Sequence, residues 1–272
     1  MKKIKSYIID LWGMLRLPEM LILPGNLAFF LMLSLAPLIT LFGFIISFFP
    51  ISVENLTNFF GNVLPTDVIN ILMPFLNGNG LDAGNIIFMI IGFYTASNGT
   101  DSLITASNIL YQNGENNYIK RKIKALFMNI WLLLLFVFIL LIMAFGSFIL
   151  TKILAFSVIG KFILNNYLFI TAAKLLLSFF IIFITIKIIY TMCLDGKVKS
   201  KYVNSGSLFA TFGIMIVTSI YSFYVTNIAH YDIIYGSLSS IVVLMFLIYF
   251  ISYIIVLGMA INCNYYKSIN NN

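Results

Sequence analysis

Tyr94 to Leu110 reads YTASNGTDSLITASNIL, and nine of these seventeen residues are Ser, Thr, Asn or Asp. At helical spacing Ser97, Asp101, Thr105 and Asn108 fall near one another, with Asn98 and Ser102 beside them. One carboxylate among hydroxyls and amides can line a watered pathway, or it can form a closed hydrogen-bond network that fixes helix register. Catalytic chemistry has no comparable constellation: no Ser or Cys stands beside a base, no carboxylates pair at a defined spacing, and no Gly-rich phosphate loop precedes a helix. Cys193, Cys263 and the single His230 make no metal site of familiar spacing, and no cofactor is implied.

The elements that must position this run are hydrophobic. The chain is 61% hydrophobic and 9% charged, with a mean hydropathy of +1.03, far from the balance of soluble domains. Continuous apolar runs, rather than short alternating segments, exclude an outer-membrane barrel and make helices the spanning elements. Spans are expected at 26–49, 84–110, 125–151, 163–192, 203–226 and 237–262. The fold read from this is an all-α integral membrane protein, one domain over 1–272 with six transmembrane helices. Residues 1–20, with Ile4, Ile8, Leu11, Trp12 and Leu15 at helical spacing among Lys and Arg, predict an amphipathic helix on the inner surface. Residues 50–83 predict an outer amphipathic helical insertion broken at Pro65 and Pro74, interfacial or partly re-entrant.

Charge gives the orientation. Twelve of the 16 Lys and Arg lie in the amino terminus, in IKRKIK, in DGKVKSK and at Lys267, all on one side of such a bundle. Both termini are therefore expected in the cytoplasm of a bacterial inner membrane. Lys120, Arg121, Lys122 and Lys124 read as inner-leaflet headgroup contacts, attracted by anionic lipid rather than by nucleic acid. Cys193 and Cys263 then fall at inner span ends, where a disulfide is not expected.

Within this frame the polar run must continue the second span, because Asn85 to Phe93 alone is too short to cross. Gly92, Ala96, Gly99, Leu103, Ala106 and Leu110 form a stripe that is small at its start, as close packing in lipid requires. Asp101 costs about 2.5–3.5 kcal/mol within a span unless paired or hydrated. Lys174 and Lys187, inside the fourth span, are its expected partners, with Lys187 alternatively snorkelling to the inner interface. Pro37 removes a backbone bond from the first span and should kink it.

Several stretches together resemble the YihY/BrkB family of bacterial inner-membrane proteins, once labelled ribonuclease BN. They are NLAFFLMLSLAPLI in the first span, the polar run followed by ILYQNGENNYIKRKIKALF, Tyr235 to Leu238 as YGSL, and Gly258 to Asn262 near the end. The chain departs from that pattern at Ala260, where the family usually has Glu, and in the last span, where MFLIYF stands in place of a Trp. The resemblance implies a six-helix bundle with an outer insertion and a suspected part in moving lipid or another envelope molecule. The functional expectation is a transporter, exporter or lipid translocator in envelope homeostasis; the alternative is a noncatalytic structural or assembly factor, and a ribonuclease is the third. The partners expected are the bilayer, including anionic lipid, and a transported molecule of unknown identity.

Overall fold

Backbone groups facing hydrocarbon have no water to bond, so an apolar chain satisfies them within each segment, as helix. The computed structural model describes residues 9, 12–13, 16, 20–33, 83–111, 117–131, 167–194, 200–227 and 238–270, and these contain helix and no strand. We number the helices α1 (Met20–Leu33), α2 (Ala83–Tyr111), α3 (118–131), α4 (Tyr167–Cys193), α5 (Asn204–Asn227) and α6 (Leu238–Asn270). A short 3-10 turn, Ser200–Val203, leads into α5.

The second, fourth, fifth and sixth expected spans thus coincide with helices, and α6 runs on eight residues past the expected 262, carrying Cys263, Asn264 and two tyrosines. Two segments, Ser200–Tyr221 and Ile241–Ile269, are long and apolar enough to cross a membrane, while Met20–Leu33 and Ser178–Cys193 form shorter apolar helices. The expected outer insertion at 50–83 and Pro37 lie outside the described residues, save the first turn of α2 at Ala83. Of the amino-terminal helix, Ile9, Trp12, Gly13, Arg16 and Met20 are described, and Arg16 sits 5.3 Å from the Trp12 ring.

The outer faces remain apolar. Leu21, Ile90, Phe127, Leu175, Phe212 and Phe246 are all about half exposed or more, one on each helix. Large contiguous apolar surface of this kind needs a nonaqueous neighbour. The interior gathers Leu27 of α1, Ile104 of α2, Met128 of α3, Tyr190 of α4, Ala210 of α5 and Val256 of α6 into one core.

The closest approach in that core is backbone on backbone. α5 packs chiefly on α6 and next on α4. A Cβ built on Gly206 would stand 1.9 Å from the Gly258 carbonyl oxygen, and one on Gly258 would stand 2.2 Å from the Tyr190 hydroxyl. Small residues let membrane helices meet this way. The exposed polar edges are then bonded across the contact: the Gly206 amide donates to Asn262 Oδ1 at 2.6 Å, and the Tyr190 hydroxyl donates to the Ile255 carbonyl at 2.7 Å. Gly258 and Asn262 therefore act together, the glycine admitting α5 and Tyr190, the amide capturing the backbone of α5. Ala260, between them, is completely buried.

Gly206→Ala is expected to lower stability by about 1–3 kcal/mol, because backbone on the far side cannot retreat. Gly25→Ala, whose Cβ meets nothing within 4 Å, should be neutral or slightly stabilising. Thermal unfolding of both variants in the same detergent checks the contrast; equal midpoints would remove the claimed contact.

Candidate functional site

α2 carries its hydroxyls in a form that a helix in lipid tolerates. Thr95 donates to the Ile91 carbonyl, Ser97 to Tyr94, Thr100 to Ser97, Ser102 to Asn98 and Thr105 to Asp101, all at 2.6–2.9 Å. Each bond runs three or four residues back, so the donor is satisfied on its own helix. Ser97 is fully buried and Ser102 nearly so. Asn108 apart, the groups that cannot be satisfied in this way are the amide of Asn98 and the carboxylate of Asp101.

Both are met by α3. Arg121 Nε donates to Asp101 Oδ1 at 2.7 Å, and Nη2 reaches Oδ2 at 3.5 Å. The two side chains are 22% and 18% exposed, so the pair is largely withdrawn from solvent. Lys122 donates to Asn98 Oδ1, and its ammonium lies 4.2 Å from the centre of the Tyr94 ring. The remaining contacts extend the same hairpin: Thr100 Oγ1 also lies 2.9 Å from the Ala125 carbonyl, so that its one hydrogen is shared between that acceptor and Ser97, and Asn129 Nδ2 donates to the Phe93 carbonyl at 3.4 Å. On the other flank Asn26 Nδ2 of α1 approaches Ser102 Oγ at 3.5 Å.

Among the described residues the partner of Asp101 is Arg121 and not the expected Lys187. Lys187 is half-buried on α4 and takes no part in the ion pair, while the side chain of Lys174 lies outside the described residues. The reason is depth. α3 begins at Tyr118, only seven residues after α2 ends at Tyr111, yet its first turn stands level with residues 98 to 101, about three turns back along α2. Asn117 caps that turn, its Oδ1 accepting from the Ile119 amide at 3.2 Å.

The same geometry revises the headgroup group. Lys120 is exposed, as a headgroup contact needs. Arg121 is taken by Asp101. Lys122 is only 7% exposed, and Lys124 turns to α4, donating to the Cys193 and Leu194 carbonyls at 3.3 and 3.0 Å. A cation at those last carbonyls complements the helix dipole and satisfies acceptors that have no partner within the helix. Asn108 is buried with Oδ1 unpaired, away from the Asp101 pair. Cys193 and Cys263 are free and buried, and Cys263 Sγ donates to the Leu110 carbonyl at 2.9 Å, joining α6 to α2. No group of three or more His, Cys, Asp or Glu that could hold a metal occurs among the described residues.

Tyr94, Asn129 and Asn26 had no assigned role in the sequence. Their signal was present in part, since a polar or aromatic residue within an apolar helix requires a partner, but which helix supplied it depended on the hairpin's stagger.

An all-helical bundle with an apolar exterior and a buried polar hairpin is the organisation of a helical membrane protein. The chain belongs to the family described as Virulence factor BrkB, whose family model matches residues 19–271. It is 28% identical over 267 residues to the Putative ribonuclease-like protein YfkH of Bacillus subtilis (strain 168), covering 96% of each chain. No solved structure matches it.

If the Asp101–Arg121 pair holds the hairpin, Asp101→Asn and Arg121→Met should each lower stability by about 1–3 kcal/mol, and their effects should overlap by at least about 0.5 kcal/mol in the double variant. Asp101→Asn combined with Lys187→Met should be additive. Denaturation midpoints for the four proteins of each cycle decide this; coupling to Lys187 instead of Arg121 would reverse the assignment.

Proposed function

We propose that the chain is a multi-pass protein of the bacterial inner membrane, with both termini in the cytoplasm, that moves an amphipathic molecule such as a lipid between the leaflets. The supporting observation is the combination, on one bundle, of a charged hairpin and apolar grooves that open among the exposed apolar side chains. One groove of about 540 Å³ lies between α4 and α5, lined by Leu176, Phe179, Phe212 and Ile216. Another of about 400 Å³ lies between α1 and α6, lined by Ala28, Phe29, Met245 and Tyr249. Acyl chains match such linings, and a polar head matches the hairpin.

A lengthwise estimate supports the placement. At 1.5 Å per residue the 29-residue α2 is about 43 Å long, against a hydrocarbon core of about 30 Å. If α2 enters the core near its amino-terminal end, Asp101 stands close to the inner boundary. Tyr111, Tyr202 and Tyr266 cluster beyond it, with Tyr266 5.9 Å from Tyr111 and 5.4 Å from Tyr202. Tyr202 and Tyr266, partly exposed, stand where tyrosines anchor a bundle at an interface, whereas the Tyr111 hydroxyl is buried.

A second reading, a noncatalytic structural or assembly factor, draws on the hydroxyls of α2, which are satisfied within the protein and need no passing solute. The ribonuclease-like name of the Bacillus relative belongs to that protein; we place this chain outside the enzymes, so purified protein is expected to leave RNA intact.

Reconstitution into vesicles carrying fluorescent lipid separates the two readings. Translocation is expected to exceed protein-free vesicles and to fall severalfold in Asp101→Asn. Flux indistinguishable from empty vesicles, with Asp101→Asn altering only thermal stability, would favour the structural reading.

A further inference from the structure

Lys122 is a cation in an unusual position. Its side chain is 93% withdrawn from solvent, and its identified partners, the Asn98 amide oxygen and the Tyr94 ring, are both neutral. A buried ammonium is retained when an opposite charge or a full set of acceptors compensates the lost hydration. Asp101 is the one acid among the described residues, and Arg121 already occupies it with both Nε and Nη2. Tyr118 supplies no second anion, because Tyr94 beside it and the nearby Asp101 charge hold its phenol above the ordinary range against the pull of Arg121. Asp101, Arg121 and Lys122 together therefore carry a net charge of about +1.

The local backbone sharpens the imbalance. Lys120, Arg121 and Lys122 all stand within five residues of the start of α3, where the helix dipole favours negative charge and disfavours cations; the amides of Ile119 and Arg121 are already bonded, to the Asn117 side chain and carbonyl. Lys124, one turn on, is directed to the carbonyls at the end of α4. Arg121 and Lys122 thus bring two cations to the Asn98–Asp101 turn of α2 against one carboxylate, and their shared requirement is an anion.

We infer that Lys122 and Arg121 form a binding site for one anionic oxygen group of phosphate type, at the level of the inner-leaflet headgroups. Lys122 supplies a desolvated point charge. Arg121 supplies the guanidinium N–H groups that Asp101 leaves over, and Asp101 holds the guanidinium in place. The inference deepens the proposed handling of an amphiphile and rests on it for depth, naming the molecule's head as anionic. Binding is read without flux, so the two ideas fail in separate experiments.

The test uses the full chain in nanodiscs of phosphatidylcholine, with phosphatidylglycerol introduced stepwise, and reads thermal midpoint and bound lipid by native mass spectrometry. Phosphatidylglycerol is expected to raise the midpoint and to remain bound. Lys122→Met should weaken its retention about tenfold, Lys122→Arg should restore most of it, and Lys120→Met should leave it nearly unchanged. A parallel titration with inorganic phosphate separates the sources: a midpoint rise that depends on Lys122 assigns a free anion, and a rise with phosphatidylglycerol alone assigns a lipid head. Should Lys122→Met fail to fold, Lys122→Gln, which keeps a donor toward Asn98 without the charge, carries the test, and retention equal to that of wild type overturns the site. Equal retention in wild type and Lys122→Met overturns the site. So does an anion effect that is absent in wild type and emerges only in Glu115→Gln, because the chain's own carboxylate would then fill the position.

Discussion

An ionised carboxylate in an apolar helix is costly by several kcal/mol unless a cation meets it, and here the cation is Arg121, 2.7 Å from Asp101. Much of the described structure follows from that requirement. For a residue in the first turn of α3 to reach the middle of α2, the two helices must form a staggered hairpin, with α2 running on about three turns past the start of α3. Stagger in turn sets Lys122 beside Asn98, Thr100 beneath the Ala125 carbonyl and Asn129 beside the Phe93 carbonyl. Each of these bonds satisfies a group that lipid would not.

The other half of the bundle solves the same problem without charge. α4, α5 and α6 meet where Gly206 and Gly258 remove the side chains that would separate them, and the backbone so exposed is bonded by Asn262 and Tyr190. Dispersion at short range replaces electrostatics as the source of specificity. Where the halves join, the bonds again run from side chain to carbonyl: Lys124 to the end of α4, and Cys263 to Leu110. Both joints use acceptors that helix geometry leaves available near a carboxyl end.

Helix placement was readable in the sequence because hydrophobic length is a one-dimensional property. α2, α4 and α5 begin and end within a few residues of the expected spans. The overrun of α6 was not, since Asn264, Tyr265, Tyr266 and Lys267 look like an interface and a helix may continue through one without apolar residues. The polar face of α2 was also readable, and the small stripe of Ala96, Gly99 and Ala106 is indeed buried, with Gly99 against Phe30 and Leu31 of α1. Asp101's partner was not. Counting residues along the chain places Arg121 outside the membrane and Lys174 and Lys187 within it, whereas stagger between helices is a three-dimensional quantity that no single span encodes.

That stagger also explains why one run of residues, IKRKIK, carries four cations with four different surroundings. On a helix, successive positions differ by 100°, so neighbours in sequence face different elements. Lys120 meets solvent, Arg121 meets Asp101, Lys122 lies under Tyr94 and Asn98, and Lys124 reaches α4. A positive-inside signal treats such residues as interchangeable charge counted near a span end. Once the first turn of α3 is drawn back along α2, only the side chain facing outward keeps that meaning. The other three become internal cations, each held by a different acceptor: a carboxylate, a neutral amide and ring, and the end of a helix. Their energetic consequences differ accordingly. Lys120 can be neutralised with little effect on the bundle, whereas Arg121, Lys122 and Lys124 each leave an acceptor unsatisfied when removed.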